Sequence, residues 1–190
     1  EKLREMPGET NDNLEVIRDS LPLFKNLSEP QFRELIAEST LHIKDDGDNI
    51  FIRNDYSNTL YNIVSGQVMI QLESDQKFYL SASDFFGEMG LISGRRRTAS
   101  TFAVGPTVLI ETPRKQIQKL ISSVEGVSKT IDDTFMFRTL QNFFPGVSPD
   151  KVKVLIEESK INRYKKGEII FKEGDEGDSF HIIRKGSVAV

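Results

Sequence analysis

The feature that most constrains this chain is that it repeats itself. Phe24, Ser28, Leu35, Ile36, Ser39, Gly47, Ile50, Phe51, Asp55, Ile63, Gly66 and Val68 recur as Phe144, Ser148, Leu155, Ile156, Ser159, Gly167, Ile170, Phe171, Asp175, Ile183, Gly186 and Val188, always at an offset of 120 residues and with no gap. One register held from Phe24 to Val190 points to a tandem duplication, and a fold for this chain must be one that its first unit can complete alone. Val190 matches Ile70, so the chain reads as one whole unit and the start of a second. On that reading it is a fragment of a longer protein, and the missing part carries the second unit's later strands and any output.

Each unit opens on a helical pattern. Ser28 stands at an N-cap before Phe32, Leu35 and Ile36, and Ser148 before Val152, Leu155 and Ile156, which are apolar faces at helical spacing. Short strands follow, separated by turns at Asp45-Asp46-Gly47-Asp48, Asn54-Asp55 and Ser65-Gly66. Val68, Ile70 and Leu72 alternate with Gln67, Met69 and Gln71, the period of a half-buried strand. Thr98 to Val104 and Thr107 to Glu111 read as two further strands. The pattern then turns helical through Ile117, Leu120 and Ile121, breaks at Gly126, and resumes through Val127, Ile131 and Phe135 toward Leu140. Many short strands with regular turns predict an α+β fold, a β jelly-roll or barrel with flanking helices. The expected divisions are an N-terminal helical segment 1–22, a complete domain 23–142, and the first part of a second domain, 143–190.

One segment carries chemistry: Phe86-Gly-Glu-Met-Gly-Leu-Ile-Ser-Gly-Arg-Arg-Arg-Thr-Ala-Ser100. Gly87 frees the backbone, Glu88 starts a short helical turn, and the first amides of such a turn favour an anion. Gly90 allows close approach, and three arginines follow. An anion held by amides and pinned by an arginine is a phosphate-type site. Glu88 would repel that phosphate unless it faced a neutral donor such as a sugar hydroxyl, and phosphate beside sugar suggests a nucleotide. On the residues alone the segment also reads as a glycine-rich surface turn with a solvated arginine run.

The segment resembles the phosphate-binding cassette of the cyclic-nucleotide-binding domain family: Phe86, Gly87, Glu88, Met89, Gly90, Leu91, Ile92, a short spacer, then Arg97, Thr98 and Ala99. The second copy carries the family's upstream signature, Gly167-Glu-Ile-Ile-Phe-Lys-Glu-Gly-Asp-Glu-Gly-Asp178 and Gly186-Ser-Val-Ala-Val190. The resemblance implies that Arg97 binds the cyclic phosphate with amides near Gly90 and Leu91, and that Glu88 accepts the ribose 2′-hydroxyl. Gly87 and Met89 complete the cassette turn, Thr98 and Ala99 lie against phosphate and base, Ile70 and Phe78 fall at purine contacts, and the helix near Ile131 and Phe135 supplies a lid. Three departures stand out. Gly90 replaces the usual alanine, Arg96 stands where proline is common, and Asn54-Asp55-Tyr56-Ser57-Asn58 replaces the more typical loop seen at Gly174 to Asp178. That loop is expected not to touch the ligand contacts, and Arg95 and Arg96, in the spacer, to face solvent. The spacer is more similar to that of cyclic-nucleotide-regulated ion channels than to that of kinase regulatory subunits.

Composition removes other classes. The chain has no cysteine, so there is no disulfide, thiolate metal site or cysteine nucleophile. Its net charge of −4 argues against a nucleic-acid partner. No apolar run is long enough to span a membrane. His42 and His181 each lack a neighbour at ligand spacing, and Asp45 to Asp48 lacks the ligand spacing of a calcium loop, so no metal is expected. No P-loop or nucleophile elbow is present. The reading is a non-enzymatic, cytoplasmic regulatory module that senses cyclic AMP, or cyclic GMP, with no cofactor besides that ligand. Binding is relayed through the C-terminal helices to an effector domain or partner protein. The alternative is a ligand-independent interaction scaffold of the same fold. A DNA-binding regulator is disfavoured because a second β-domain follows where a helix-turn-helix would be needed.

Overall fold

The computed structural model describes residues 11–56, 58–94 and 96–190. Along them run α1 (Asn11–Ser20), α2 (Glu29–Ala37), β1 (Thr40–Lys44), β2 (Asn49–Phe51), β3 (Thr59–Gln71), β4 (Lys77–Ser81), β5 (Phe85–Phe86), α3 (Glu88–Ser93), β6 (Ser100–Pro113), α4 (Arg114–Ser123), α5 (Val127–Phe143) and α6 (Pro149–Glu158). The first ten residues of the expected N-terminal helical segment lie outside the described residues, and α1 occupies most of the rest. The chain divides into two compact units, one ending at Asp132 and one running from Asp133 to Val190.

In the first unit the sheet is antiparallel, in the order β1-β6-β3-β4, with β2 added on β6 and β5 on β3. Its spine is the pairing of β3 with β6, from Thr59 opposite Pro113 to Gln71 opposite Ser100. This corrects two expectations. Ser65-Gly66 is not a turn, and the strands expected over Thr98–Val104 and Thr107–Glu111 are one strand that begins at Ser100. Ser65 pairs with Val108 and Gln67 with Val104, so both long strands bulge together and continue. Gly66 is needed there, since a Cβ on it would lie 2.4 Å from the Pro106 carbonyl oxygen. Glycine signals a bulge and a turn alike; the pairing across the sheet decides which forms.

Strand alternation sends Leu60, Asn62 and Val64 to one face of β3, and Tyr61 and Ile63 to the other. The first face packs under the helices. Leu60 and Ile110 are buried with Phe32, Leu35 and Ile36 of α2, Ile117 and Leu120 of α4, and Val127 and Ile131 of α5, and Leu91 and Ile92 of α3 pack against the same cluster. The second face holds Phe51, Tyr61, Ile63, Val68, Phe86 and Leu109 inside the barrel. The helical stripe around Ser28 is therefore the contact stripe. The Gln31 side chain accepts from the Ser28 backbone N–H at 2.9 Å, fixing the start of α2. Gly126, at φ +85°, separates α4 from α5 as expected. The α+β jelly-roll with flanking helices is the fold.

In the second unit, α6 follows Ser148, and Val152 is fully buried. Turn geometry recurs at the sequence offset. The Asp55 carboxylate accepts from the Ile52 N–H at 2.8 Å, and the Asp175 carboxylate from the Lys172 N–H at 2.7 Å. Ser39 and Ser159 each donate to the carbonyl four residues earlier, at 2.8 and 2.6 Å. The strands expected after α6 are not formed, however: the described residues from Ser159 to Val190 contain turns and no strand. Ile161, Ile169, Phe171, Phe180, Ile183 and Val188 are exposed.

Candidate functional site

The site is built around a turn that only glycine makes easily. Gly87 follows β5 at φ +91° and is the N-cap of α3. A Cβ there would sit 2.6 Å from Nη1 of Arg97 and 3.1 Å from the Thr59 carbonyl oxygen. The space is filled by Arg97, ten residues on. Its Nη1 donates to the Gly87 carbonyl at 3.0 Å, and its Nη2 donates to the Thr59 carbonyl at 2.8 Å and the Thr59 hydroxyl at 3.2 Å. The guanidinium lies 4.1 Å over the Phe51 ring and 5.8 Å from that of Tyr61. Phe51, Tyr61 and Phe86 pack on one another, Tyr61 and Phe86 being stacked at 5.2 Å. Arg97 is 3% exposed and Glu88, the first residue of α3, is 2% exposed. Two charged residues of the cassette, Glu88 and Arg97, are thus folded inward, Arg97 against the aromatic cluster.

Charge at this depth is costly. Burial lowers the Arg97 pKa, and Tyr61, Glu111, Glu88 and Asp55 oppose that shift. The guanidinium stays protonated regardless. Burial also pushes the Tyr61 phenol up to about 12. Its hydroxyl donates to Oε1 of Glu111 at 2.9 Å, and Nε2 of His42 lies 2.6 Å from Oε2 of the same carboxylate. Burial would raise the Glu111 pKa, but hydrogen bonds with Thr59, His42 and Tyr61 outweigh it and hold the carboxylate below its ordinary value. His42, expected to be isolated, is therefore paired across the sheet with a residue 69 positions away. Among the described residues no group of side chains could hold a metal ion.

The loop before β3 is hydrogen-bonded to the backbone of Arg97. The Asn54 N–H donates to the Arg97 carbonyl at 2.9 Å, and the Arg97 N–H donates to the Asp55 carbonyl at 3.1 Å. The backbone of Arg97 is bracketed by the very segment that departs from the family pattern. Asn54 adopts φ +74° where the second unit has Gly174 at +89°, so the asparagine keeps the left-handed turn. Arg96 does not simply face solvent: it is exposed, but its Nη1 donates to the Asn54 carbonyl at 2.9 Å and its guanidinium lies 5.0 Å over the Tyr56 ring. Arg95 lies outside the described residues. Arg53, ion-paired with Glu73, lines an open groove of about 490 Å³ with Asn54, Tyr56, Arg96, Arg97 and Thr98.

The remaining expected residues fall as follows. Gly90 is buried, with its carbonyl accepting from Gly94 at 3.0 Å, while Met89 and Leu91 are half-buried. Thr98 is exposed in the groove and Ala99 is buried. Ile70 pairs with Phe78 on β4 and with Thr101 on β6, which puts all three on one face of the sheet. Ile70 packs against the cluster containing Phe51, on which Arg97 rests; Phe78 is tied in through its pairing alone. Phe51, Thr59, Tyr61 and the Asn54-Asp55 backbone were missed. Phe51 and Asp55 carried a sequence signal, through their recurrence as Phe171 and Asp175.

Comparison with known proteins decides the family. The profile of the cyclic nucleotide-binding domain matches residues 44–124 and 161–190, more than half of the chain. The chain belongs to the cyclic nucleotide-binding domain family. A domain of this family is a regulatory, cyclic nucleotide-sensing module. Among curated relatives, a cGMP-dependent protein kinase of Drosophila melanogaster is 26% identical over 167 residues, covering 87% of this chain and 15% of the kinase. A cyclic nucleotide-gated potassium channel of Rhizobium etli is 30% identical over 119 residues, covering 63% of this chain and 33% of the channel. The chain thus spans a third or less of the length of these relatives. Among solved structures, the sensor domain of the transcriptional regulator DNR from Pseudomonas aeruginosa superposes with a TM-score of 0.59 at 22% identity, covering 70% of this chain and 99% of that one. Among the described residues no helix is long and apolar enough to cross a membrane.

Proposed function

We propose that the first unit of this cyclic nucleotide-binding domain protein binds one cyclic nucleotide at the cassette from Gly87 to Ala99. The observation that carries the reading is the inward fold of Glu88 and Arg97 around Gly87. A buried arginine within reach of the cassette turn suits a cyclic phosphate, and a buried carboxylate beside it suits a ribose hydroxyl. Arg97 would hold the phosphate with amides near Gly90 and Leu91, and Glu88 the 2′-hydroxyl. Gly87 and Met89 would shape the turn, and Thr98, Ala99, Ile70 and Phe78 would line the base and phosphate. The ligand is cyclic AMP or cyclic GMP, and the protein's own part is recognition, with no reaction catalysed.

We further propose that binding is passed through the helices after the barrel. Leu91 and Ile92 of the cassette helix share a cluster with Val127 and Ile131 of α5, so a shift of α3 on binding would be felt by α5. Coupling then requires the ligand to prefer one of the two helix arrangements. The recurring turns support reading 23–142 and 143–190 as duplicated domains, after a leading segment 1–22. The kinase and channel names of the relatives support an effector domain or partner protein regulated by binding; a cytoplasmic setting without a nucleic-acid partner is proposed from the net charge of −4.

The test is a melting series with cyclic AMP, cyclic GMP and linear 5′-AMP. A ligand at a hundredfold excess over its Kd stabilises the folded state by about 2.7 kcal/mol. Cyclic nucleotides should raise the melting temperature clearly and 5′-AMP should not. If no cyclic nucleotide acts, the chain is a scaffold of this fold.

A further inference from the structure

Two of the three departures from the family pattern, the loop before β3 through its Tyr56 and Arg96 in the spacer, meet in space. We propose that they form a clasp that positions Arg97, so that Arg96 is a positioning residue for ligand binding and not merely local positive charge. The inference rests on the reading of Arg97 as the phosphate residue.

Arg96 reaches across to the loop at two points, with Nη1 donating to the Asn54 carbonyl at 2.9 Å and the guanidinium lying 5.0 Å over the Tyr56 ring. Asn54 also gives its N–H to the Arg97 carbonyl, and Asp55 accepts the Arg97 N–H. The loop is closed on itself by the Asp55 carboxylate and fastened further by the Arg53 N–H donating to the Ser100 hydroxyl at 3.0 Å. Arg96 therefore grips the same three-residue segment that brackets the backbone of its neighbour. In the second unit the position of Tyr56 is Glu176, which offers no ring, and that of Asn54 is Gly174. Tyr56 is 78% exposed, so its ring serves no core, and the Arg96 guanidinium lies over it. A planar guanidinium can donate to a carbonyl and lie on a ring at once, whereas an ammonium offers only a point charge.

The experiment is titration calorimetry of the 190-residue chain with cyclic AMP and cyclic GMP, for wild type, Arg96→Ala, Arg96→Lys, Tyr56→Ala and the double variant Arg96→Ala/Tyr56→Ala. A clasp predicts that Arg96→Ala weakens binding roughly tenfold. Arg96→Lys loses nearly as much despite keeping the charge, and the double variant is within about twofold of Arg96→Ala alone. In an Arg97→Ala background, Arg96→Ala should cost less than about twofold, because the effect runs through Arg97. A separate reading needs no ligand: amide hydrogen exchange at Asn54 and Arg97 should quicken roughly tenfold in Arg96→Ala and Tyr56→Ala, while the melting temperature stays put. Wild-type affinity in Arg96→Lys, additive losses in the double variant, or unchanged exchange at both amides would each overturn the clasp. If wild type binds neither nucleotide, the functional reading fails, and the exchange measurement still decides the clasp.

Discussion

Replacing Arg97 with alanine should damage the protein before any ligand is added. The guanidinium bridges the carbonyls of Gly87 and Thr59 and lies on Phe51. Each charge-assisted hydrogen bond contributes about 1.5–3 kcal/mol, and the stacked cation roughly 0.5–2 kcal/mol. Against this stands the cost of burying the charge, several kcal/mol for a desolvated ion, which is the effect that lowers the Arg97 pKa. The gross terms nearly cancel, but truncation also strands two partly buried carbonyls and leaves a gap against Phe51, each costing about 1–2 kcal/mol. The net expectation is a loss of about 2–3 kcal/mol in ligand-free stability. Arg97→Lys should recover little of it, because an ammonium does not span both carbonyls while lying flat on the ring. With cyclic AMP or cyclic GMP the loss of a partly buried charged contact costs a further ~2–5 kcal/mol, about two to three orders of magnitude in Kd. Urea titrations without ligand and calorimetry with it separate the two effects. If Arg97→Ala left ligand-free stability unchanged, the guanidinium would not be bridging those carbonyls, and the site would be assembled by the ligand instead.

Three further outcomes are expected. Asn62 is fully buried on the apolar, helix-facing side of β3, its amide has no hydrogen-bond partner among the described residues, and its counterpart at the repeat offset is Ile182; Asn62→Leu should raise ligand-free stability by about 1–3 kcal/mol, and a fall in the melting temperature would show that the amide is satisfied by ordered water. Glu111 has its pKa depressed in the folded state, so its network contributes fully above the ordinary carboxylate pKa of about 4.3 and is lost as pH falls through the lower folded value; urea midpoints at neutral and acid pH should therefore fall further for wild type than for Glu111→Gln, and equal falls would mean that the network adds nothing. Calorimetry should find one cyclic nucleotide per chain, since the cassette occurs once; two equivalent sites would place a binding site in the second unit.

The sequence by itself determined what is local or periodic. The offset of 120 residues, the stripe of Phe32, Leu35 and Ile36, the break at Gly126 and the cassette helix beginning at Glu88 all follow from spacing and capping within a few residues, where backbone sterics and side-chain period act without help from distant chain. The cassette was legible through its resemblance to the family's motif, which lies within one short stretch of chain. Tertiary structure decided everything that needs a partner far away. Ser65-Gly66 became a bulge because β6 runs past it. Glu111 came to His42 and Tyr61, Thr59 to Arg97, and Arg96 to Tyr56, through antiparallel pairing whose register joins residues tens of positions apart. Such contacts leave no spacing signal, because their distance along the chain is set by how the strands and loops between them close, and not by the period of any one element.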